Sequence, residues 1–390
     1  MSDGKRIIRK IDVKLIVFYF LSWRLLLFVF LYLSILVFPL QQNFLGGGIA
    51  NYLKNPYLWS WLNFDGEHYL ALVRYGYQPL TYFFFPLYPL TISFFASIFG
   101  KTNLSLSLVG LAVSNISFLI GLVGFWKLIL VDNNKTIAKI AILILLIFPT
   151  SFYFGSYYTE SLFFALSVWA FYFVRKTNWI AAGLLGGLAA LTRLVGIVLL
   201  FSFVIEIIQQ KIAGKKFNTL LAFLAPALVC LGLITYVLYL NKVTGDPLEF
   251  LHSVTIFGAQ RSSKFILLPQ VFYRYIFKIL PNLSYSYLPV VYTTYLEFIV
   301  GLAFLVVSLV GFIKLRLSYA AYLFFGYLIP TLSGSFSSLP RYVIVLFPAF
   351  ILVATSIEKD SRLSKAVLFT ILFILLGIAT ALFARGYWVS

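Results

Sequence analysis

The chain contains little charge and almost no cysteine or histidine. Of its 390 residues, 11% are charged, two are histidine and one, Cys230, is cysteine. Soluble globular domains carry about 25% charged residues, so this composition excludes an ordinary soluble domain. A single cysteine excludes an internal disulfide and a cysteine metal cluster. The sequence also lacks a P-loop, a dinucleotide glycine pattern, HExxH and GxSxG, so no motif supports nucleotide-driven chemistry.

Apolar residues are abundant instead. They make up 62% of the chain, and the mean hydropathy is +0.97. Leu15–Leu40 has one charge, Arg24, and Ala366–Phe383 has none, and each run can cross a hydrocarbon core of about 30 Å as a helix. We therefore predict an all-α polytopic membrane protein. The first run is too long for a signal peptide and no small-x-small site follows it, so we expect it to be retained.

The apolar runs predict about eleven transmembrane helices. They lie near residues 15–40, 104–130, 137–150, 159–174, 178–192, 194–210, 217–240, 290–313, 318–332, 340–356 and 364–384.

Lysine and arginine indicate the orientation of these helices. Basic residues at positions 5–14 place the N-terminus inside, and counting helices forward makes every further inside loop basic. The alternation requires that 82–100 does not cross the membrane, and three nearby prolines favour a re-entrant or interfacial helix there. The basic residues of the inside loops are Lys135, Arg175, Lys176, Lys211, Lys215, Lys216, Lys314, Arg316, Lys359, Arg362 and Lys365.

Two large loops then lie outside, 41–103 and 241–289, within a single membrane domain over 1–390. The second loop breaks the positive-inside pattern with Arg261, Lys264, Arg274 and Lys278, and it is rich in tyrosine. Such a loop needs an anionic partner, either lipid headgroups or a phosphate-bearing substrate. The net charge of +18 is scattered between apolar segments, which excludes nucleic acid as the partner.

The first external loop holds the strongest catalytic candidate. Asp65 follows three aromatic residues that would hold the loop at the lipid–water interface. Partial desolvation would raise the basicity of this carboxylate, so it could accept a proton from a sugar hydroxyl. Alternatively Asp65 is a solvated loop acid. Its neighbours Glu67, His68 and Arg74 favour the functional interpretation, although Arg74 could serve only as a salt-bridge partner.

Three further charged residues lie at the predicted outer ends of helices. Glu160 follows Thr159, a predicted N-cap, and falls in a first helical turn where the dipole favours a carboxylate. It could only cap, or it could shape the acceptor site or help hold a divalent cation, Mg²⁺ or Mn²⁺. Arg193 lies between two apolar runs, and an arginine there marks a functional site whose partner is Glu160 or a bound phosphate. Arg341 either points into the outer vestibule or snorkels to the surface.

The order of these motifs resembles a known family. An Asp followed by HYL and GY precedes FFPLYPL, then PTSFYFGSYYTES, LTR, TGDPLEF, LPRY and GYWV. From about residue 60 onward this resembles the GPI mannosyltransferase II (PIG-V) family and its prokaryotic relatives, within the GT-C superfamily. Phe64 stands where family members commonly have tryptophan.

The resemblance implies a multi-pass glycosyltransferase with an external or luminal active site. Such enzymes move a sugar, typically mannose, from a polyprenyl- or dolichyl-phosphate carrier to a glycolipid or glycan acceptor, with inversion. The family's first-loop acid corresponds to Asp65, the base, and its histidine to His68. Its Y-x-E element corresponds to Tyr158 and Glu160, and its arginine to Arg193.

Two other classes of function remain as alternatives. A transporter or flippase for lipid-linked sugars would use the same basic loop, but an inverted repeat, which would favour it, is absent from the sequence. A non-catalytic scaffold would not require the acidic first loop. A prokaryotic chain would lie in the cytoplasmic membrane with an external active site, and a eukaryotic one in the ER membrane.

Overall fold

In the computed structural model, which describes residues 12–253, 262 and 264–389, the regular structure of the described residues is helical. Short 3₁₀ turns and one π turn connect the α-helices. The α-helices are α1 Val13–Val37, α2 Ile49–Lys54, α3 Pro56–Trp59, α4 Asp65–Tyr75, α5 Leu87–Phe99, α6 Asn103–Asp132, α7 Lys135–Ile147, α8 Glu160–Arg175, α9 Trp179–Ala190, α10 Val198–Ile212, α11 Thr219–Thr244, α12 Glu249–His252, α13 Leu268–Arg274, α14 Leu288–Lys314, α15 Leu317–Thr331, α16 Leu339–Val343, α17 Phe347–Ile357 and α18 Arg362–Ala384.

Six helical segments of the described chain are long and apolar enough to cross a membrane. They are α1, α6, α11, α14, α18 and the segment Leu194–Ile212. Helices α5, α9 and α17 are apolar but shorter. Each of the eleven predicted ranges contains a helix, so the all-α membrane class is confirmed. The number of crossings stays a prediction.

Two predicted helices have a different form in the structure. The range 340–356 is divided into α16 and α17, because Pro348 lies in the first turn of α17 and cannot continue a preceding helix. The range 194–210 begins as a 3₁₀ turn, Leu194–Ile197, before α10.

Helix α5 occupies the range expected not to cross. Its 13 residues span roughly 20 Å at 1.5 Å per residue, less than a hydrocarbon core of about 30 Å. Pro86 precedes it and Gly100, at φ +87°, ends it. Several large apolar side chains of α5, including Phe94 and Phe99, are exposed, as expected of a helix in contact with lipid.

Helices α9 and α11 approach each other through glycine. A Cβ added to Gly232 of α11 would lie 2.2 Å from the carbonyl oxygen of Gly187 in α9, and one added to Gly183 would lie 2.8 Å from Cα of Ala225. Small residues spaced in this way let membrane helices pack backbone against backbone. This contact fixes α9, and so the chain that leaves it toward Arg193.

Several predicted inside loops meet at one end of the bundle. Glu206 of α10 is fully buried and accepts hydrogen bonds from Arg316 Nε (2.6 Å) and Ser318 Oγ (2.6 Å). Arg175, at the end of α8, lies with Nε 3.2 Å from Glu206 and donates from Nη2 to Asp132 (2.7 Å). Glu206 therefore has the structural role that its helical position suggests.

Candidate active site

Asp65 is the first residue of α4, and the chain before it is held by hydrogen bonds of both the backbone and the side chain of Asn63. The carbonyl oxygen of Asn63 accepts from Tyr158 Oη at 2.7 Å, and the Asn63 amide donates to the carbonyl of Phe383 at 3.0 Å. Phe64 has φ +53°, a region that non-glycine residues rarely occupy. Its ring packs edge-on against Trp388, with centroids 5.0 Å apart. These contacts hold the turn that directs Asp65.

Arg341 connects the two predicted catalytic acids. It lies in α16 after Ser338, which has φ +64°, and is 5% exposed. Its Nη1 donates to Asp65 Oδ2 at 2.6 Å, and its Nε lies 3.5 Å from Glu160 Oε1. The snorkelling alternative for Arg341 is therefore wrong, because the guanidinium is buried between carboxylates.

Glu160 is the first residue of α8 and is 1% exposed. Its Oε1 lies 2.5 Å from Arg193 Nη1, whereas its Oε2 is buried without a hydrogen-bond partner. The predicted side-chain cap is absent: the Thr159 hydroxyl makes no capping bond and accepts from Arg193 Nη1 at 3.2 Å. The α8 N-terminus still favours the Glu160 carboxylate through its dipole.

Arg193 reaches this cluster from the extended chain after α9. Its backbone has φ −156° and ψ 146°, and its side chain is 12% exposed. The guanidinium lies over the Tyr342 ring, 5.1 Å from the centroid. Of the two partners expected for Arg193, the structure supplies Glu160.

These four residues form what we call the Asp65 network: Asp65, Glu160, Arg193 and Arg341. They come from four segments that are distant in sequence, and tyrosine rings surround them. Arg341 lies 5.5 Å from the centroid of Tyr153, 5.4 Å from Tyr158 and 5.0 Å from Tyr342. Two carboxylates face two guanidiniums, so the network carries no formal net charge.

Three predicted neighbours of Asp65 have contacts with residues outside the Asp65 network. Glu67 accepts from the backbone N–H of Gly47, and burial raises the pKa of its carboxyl although that bond and His68 oppose the shift. The His68 ring stacks on Phe84, with centroids 5.5 Å apart. Arg74 donates to Asn103 Oδ1 at 2.6 Å. Their substrate-binding roles stay predictions.

The second external loop contributes no described side chain to the Asp65 network. Lys264 is exposed, and Arg274 donates from Nη1 to the carbonyl of Gly334 at 2.5 Å. Arg261 lies outside the described residues. Tyr275 Oη donates to Glu297 Oε2 at 2.7 Å, which gives Glu297 a structural partner.

Tyr158 was predicted as a site residue, whereas the other two rings around Arg341, those of Tyr153 and Tyr342, and the charge of Arg24 in the first helix were not. Tyr342 stands beside Arg341 in the LPRY motif, and Tyr153 stands in the motif that carries Glu160, so adjacency to the charged candidates could have identified both. Arg24 was visible as the only charge in its apolar run.

A divalent cation finds no ready-made ligand set. Among the described residues, no three His, Cys, Asp or Glu side chains lie together. Asp65 and Glu160 both contact Arg341, so a cation there would have to displace an arginine. We assign no residue to a metal.

The long apolar helices and the charged network buried at one end define an integral membrane protein with a recessed polar site. The family model "Mannosyltransferase (PIG-V)" matches residues 12–247. The chain therefore belongs to this family of membrane glycosyltransferases, as the motif order indicated. No match was found among curated proteins.

Solved structures of the Archaeoglobus fulgidus oligosaccharyltransferase are similar at low identity. One, tethered with an acceptor peptide, is 13% identical with a TM-score of 0.44, over 95% of this chain and 56% of that one. Another, AglB with an inhibitory peptide and a dolichol-phosphate, is 13% identical with a TM-score of 0.43, again over 95% and 56%. This chain thus spans about half their length.

Proposed function

We propose that this chain is a GT-C-type glycosyltransferase that moves a sugar, most simply mannose, from a polyprenyl- or dolichyl-phosphate carrier to a glycolipid or glycan hydroxyl. Residues 1–390 form one membrane domain in this proposal, with 41–103 and 241–289 as loops on the external or luminal side. Transfer proceeds with inversion. The observation that carries the proposal is the Asp65 network, assembled from four segments inside an apolar bundle.

An unused network of this kind would be hard to explain. Removing charges from water costs several kcal/mol per ion, and ion pairing at best roughly repays it. Ionisable groups at membrane depth therefore mark functional sites. Glu160 Oε2 adds a second indication, because a buried carboxylate oxygen without a hydrogen-bond donor can accept a hydrogen bond from a substrate hydroxyl.

Each residue of the network has a role in the proposed reaction. Asp65 accepts the proton of the acceptor hydroxyl as that oxygen forms a bond to C1 of the donor sugar. The bond between C1 and the carrier phosphate oxygen breaks, and its electron pair leaves with the lipid phosphate. Because nucleophile and leaving group lie on opposite faces of C1, one such displacement inverts the anomeric centre.

The arginines orient the two acids in this scheme. Arg341 holds Asp65 Oδ2 and approaches Glu160 Oε1, and Arg193 holds the same Glu160 oxygen. Glu160 Oε2 then accepts a hydrogen bond from a hydroxyl of the donor or acceptor sugar. Such pre-arranged groups act strongly where water is excluded.

The two ends of α8 support an outward-facing site. Glu160 begins this 16-residue helix and Arg175 ends it, so the two lie roughly 22 Å apart at 1.5 Å per residue. Arg175 lies with the basic loops expected inside. The Asp65 network then faces the opposite side of the membrane.

The first experiment compares Asp65→Asn with Asp132→Asn. Purified protein is given radiolabelled polyprenyl-phosphate-mannose and a crude lipid extract, and transfer is measured. Asp65→Asn should lower transfer by about 10²–10⁴-fold, the range of a general base. Asp132→Asn removes a carboxylate paired with Arg175 at the other end and should retain transfer.

Transfer that survives in Asp65→Asn would overturn the assignment of the base. Absence of transfer from the wild type, together with movement of the labelled lipid between leaflets, would favour a flippase instead.

A further inference from the structure

Arg24 is a charged residue in α1 without an acceptor. It lies eleven residues from Val13, roughly 17 Å along the helix, and so well inside the apolar run. No described residue accepts a hydrogen bond or forms an ion pair with it, and its Nη1 is buried without a partner. A guanidinium has five donors, and leaving them unmet at membrane depth is costly.

The surrounding residues make room for this guanidinium. A Cβ on Gly155 would lie 2.3 Å from Arg24 Nη1, so any larger residue there would displace the group. The Arg24 Cζ lies 4.5 Å from the Trp61 ring centroid and 4.8 Å from that of Phe28. Cation–π contact offsets part of the cost, but the rings accept no conventional hydrogen bonds. The buried indole N–H of Trp61 also has no acceptor.

Trp61 connects Arg24 to the chain segments that carry Asp65 and Glu160. Trp61 precedes Asp65 by four residues, and its carbonyl accepts from the backbone N–H of Tyr157 at 2.9 Å. Each arginine of the network already faces a carboxylate, so the network has no surplus cation for an anionic group. Arg24 provides one.

The site is also open to the membrane. Arg24 is only partly buried, and Leu21 and Leu25 on the same helix are 58% and 66% exposed. A ligand that approaches along α1 comes from the lipid. An anion delivered from lipid with several acceptor oxygens is a phosphate group.

We infer that Arg24 binds the phosphate of a lipid entering beside α1, and that this lipid is the polyprenyl-phosphate sugar carrier. The second half of this inference rests on the proposed function, whereas the phosphate site itself does not. Arg24 thereby supplies the cation that compensates the charge on the departing phosphate.

The test measures lipid binding rather than turnover. Full-length protein in phosphatidylcholine nanodiscs is titrated with a polyprenyl monophosphate, with the matching polyprenol and with phosphatidylglycerol, followed by tryptophan fluorescence. Arg24→Met should weaken polyprenyl phosphate binding about 10- to 100-fold, the equivalent of one charged hydrogen bond, and leave polyprenol binding unchanged. Arg24→Lys should restore part of the affinity.

Lys127→Gln is the matched control. Lys127 is also a partly buried cation over aromatic rings in an apolar helix, 4.9 Å from the Trp169 centroid, but it lies near the C-terminal end of α6. The Lys127→Gln variant should bind polyprenyl phosphate as the wild type does.

Thermal melting separates binding from a structural role. An unpaired charge stabilises little, so Arg24→Met should melt at the same temperature as the wild type or higher. Equal polyprenyl phosphate affinity in wild type and Arg24→Met, or a marked loss of melting temperature in that variant, would overturn the phosphate site.

If phosphatidylglycerol binds as tightly as polyprenyl phosphate through Arg24, the assignment of the site to the sugar carrier is overturned. Arg24-dependent binding by a protein that transfers no sugar would retain the site and reject the proposed function.

Discussion

At the residue scale, Arg341 connects more of the site than any other side chain described here. It contacts Asp65, approaches Glu160 and lies among three tyrosine rings. Removing one member of a buried ion pair leaves the other charge uncompensated, at a cost of about 3–5 kcal/mol. The loss at Arg341 involves two carboxylates.

We therefore expect Arg341→Met to reduce both stability and transfer, and Arg341→Lys to keep more stability than transfer. Lysine retains the charge but cannot reproduce the planar fork. Melting temperature and sugar transfer are measured together. Arg385→Met is the control, because Arg385 donates hydrogen bonds to Tyr52 Oη (2.7 Å) and to the backbone carbonyl of Phe38 rather than to an acid. Full transfer by Arg341→Met would show that Asp65 needs no orienting partner.

Glu67 predicts a pH dependence of stability. Burial raises the pKa of this carboxyl, so the folded protein binds a proton that the unfolded chain releases at about pH 4.3. Stability from this group is therefore lost as pH rises from that value through the folded pKa, and then stays level.

Glu67→Gln removes this loss while keeping an oxygen for the Gly47 N–H. The melting temperature of the variant, minus that of the wild type, should increase with pH across this window and then become constant. Asp360→Asn, at an exposed acid, is the control. A difference for Glu67→Gln that does not change with pH would mean that the folded protein does not perturb this group.

At the element scale, helix positions and the Arg193–Glu160 pair could be predicted, whereas the sharing of Arg341 between two acids could not. Apolar runs are local, so ranges such as 104–130 match α6 to within two residues. The positions of the short helices α2, α3, α12 and α13 within the two large loops were not predicted, because four to seven residues have too few turns to show a periodicity.

The site shows the same limit. Asp65, Glu160, Arg193 and Arg341 could be nominated because charge is costly in an apolar chain. That Arg341 is shared by both acids depends on how the tertiary fold places α16 near the first residues of α4 and α8, and nothing in the local sequence of LPRY encodes that contact.

Helix α5 gives a prediction about topology. If it lies at the interface, Gln78 before it and Lys101 after it are on the same side of the membrane. In a Cys230→Ala background, Gln78→Cys and Lys101→Cys should both react with a membrane-impermeant thiol reagent in intact cells or right-side-out vesicles. Lys215→Cys, in a predicted inside loop, should react only after permeabilisation. Labelling of Gln78→Cys and Lys101→Cys from opposite sides would show that α5 crosses.

At the scale of the whole molecule, residues 386–389 contact segments that hold the Asp65 network in place. Tyr153 Oη donates to the carbonyl of Val389 at 2.5 Å, and Thr293 Oγ1 donates to that of Trp388 at 2.9 Å. Trp388 also packs on Phe64 beside Asp65. One short segment therefore connects α14, the chain before α8 and the loop that carries Asp65.

Deleting residues 386–390 should lower transfer by up to the order of 10²-fold, because displacing reacting groups by about 1 Å has effects of this size. Polyprenyl phosphate binding at the proposed Arg24 site should persist, since none of the described contacts of Arg24 is lost. Deleting residues 2–6 is the length-matched control and should leave transfer intact. Unchanged transfer after the 386–390 deletion would mean that the Asp65 loop holds its position without Trp388.

The depth of the Asp65 network affects how kinetics must be expressed. In the proposed topology the network lies roughly 22 Å along α8 from Arg175, within the thickness of a hydrocarbon core of about 30 Å. The lipid carrier that we propose as the donor would reach this depth by diffusion in the plane of the membrane. Its effective concentration is its mole fraction in the bilayer or micelle, so adding detergent at constant bulk concentration of the carrier should slow the enzyme by dilution alone.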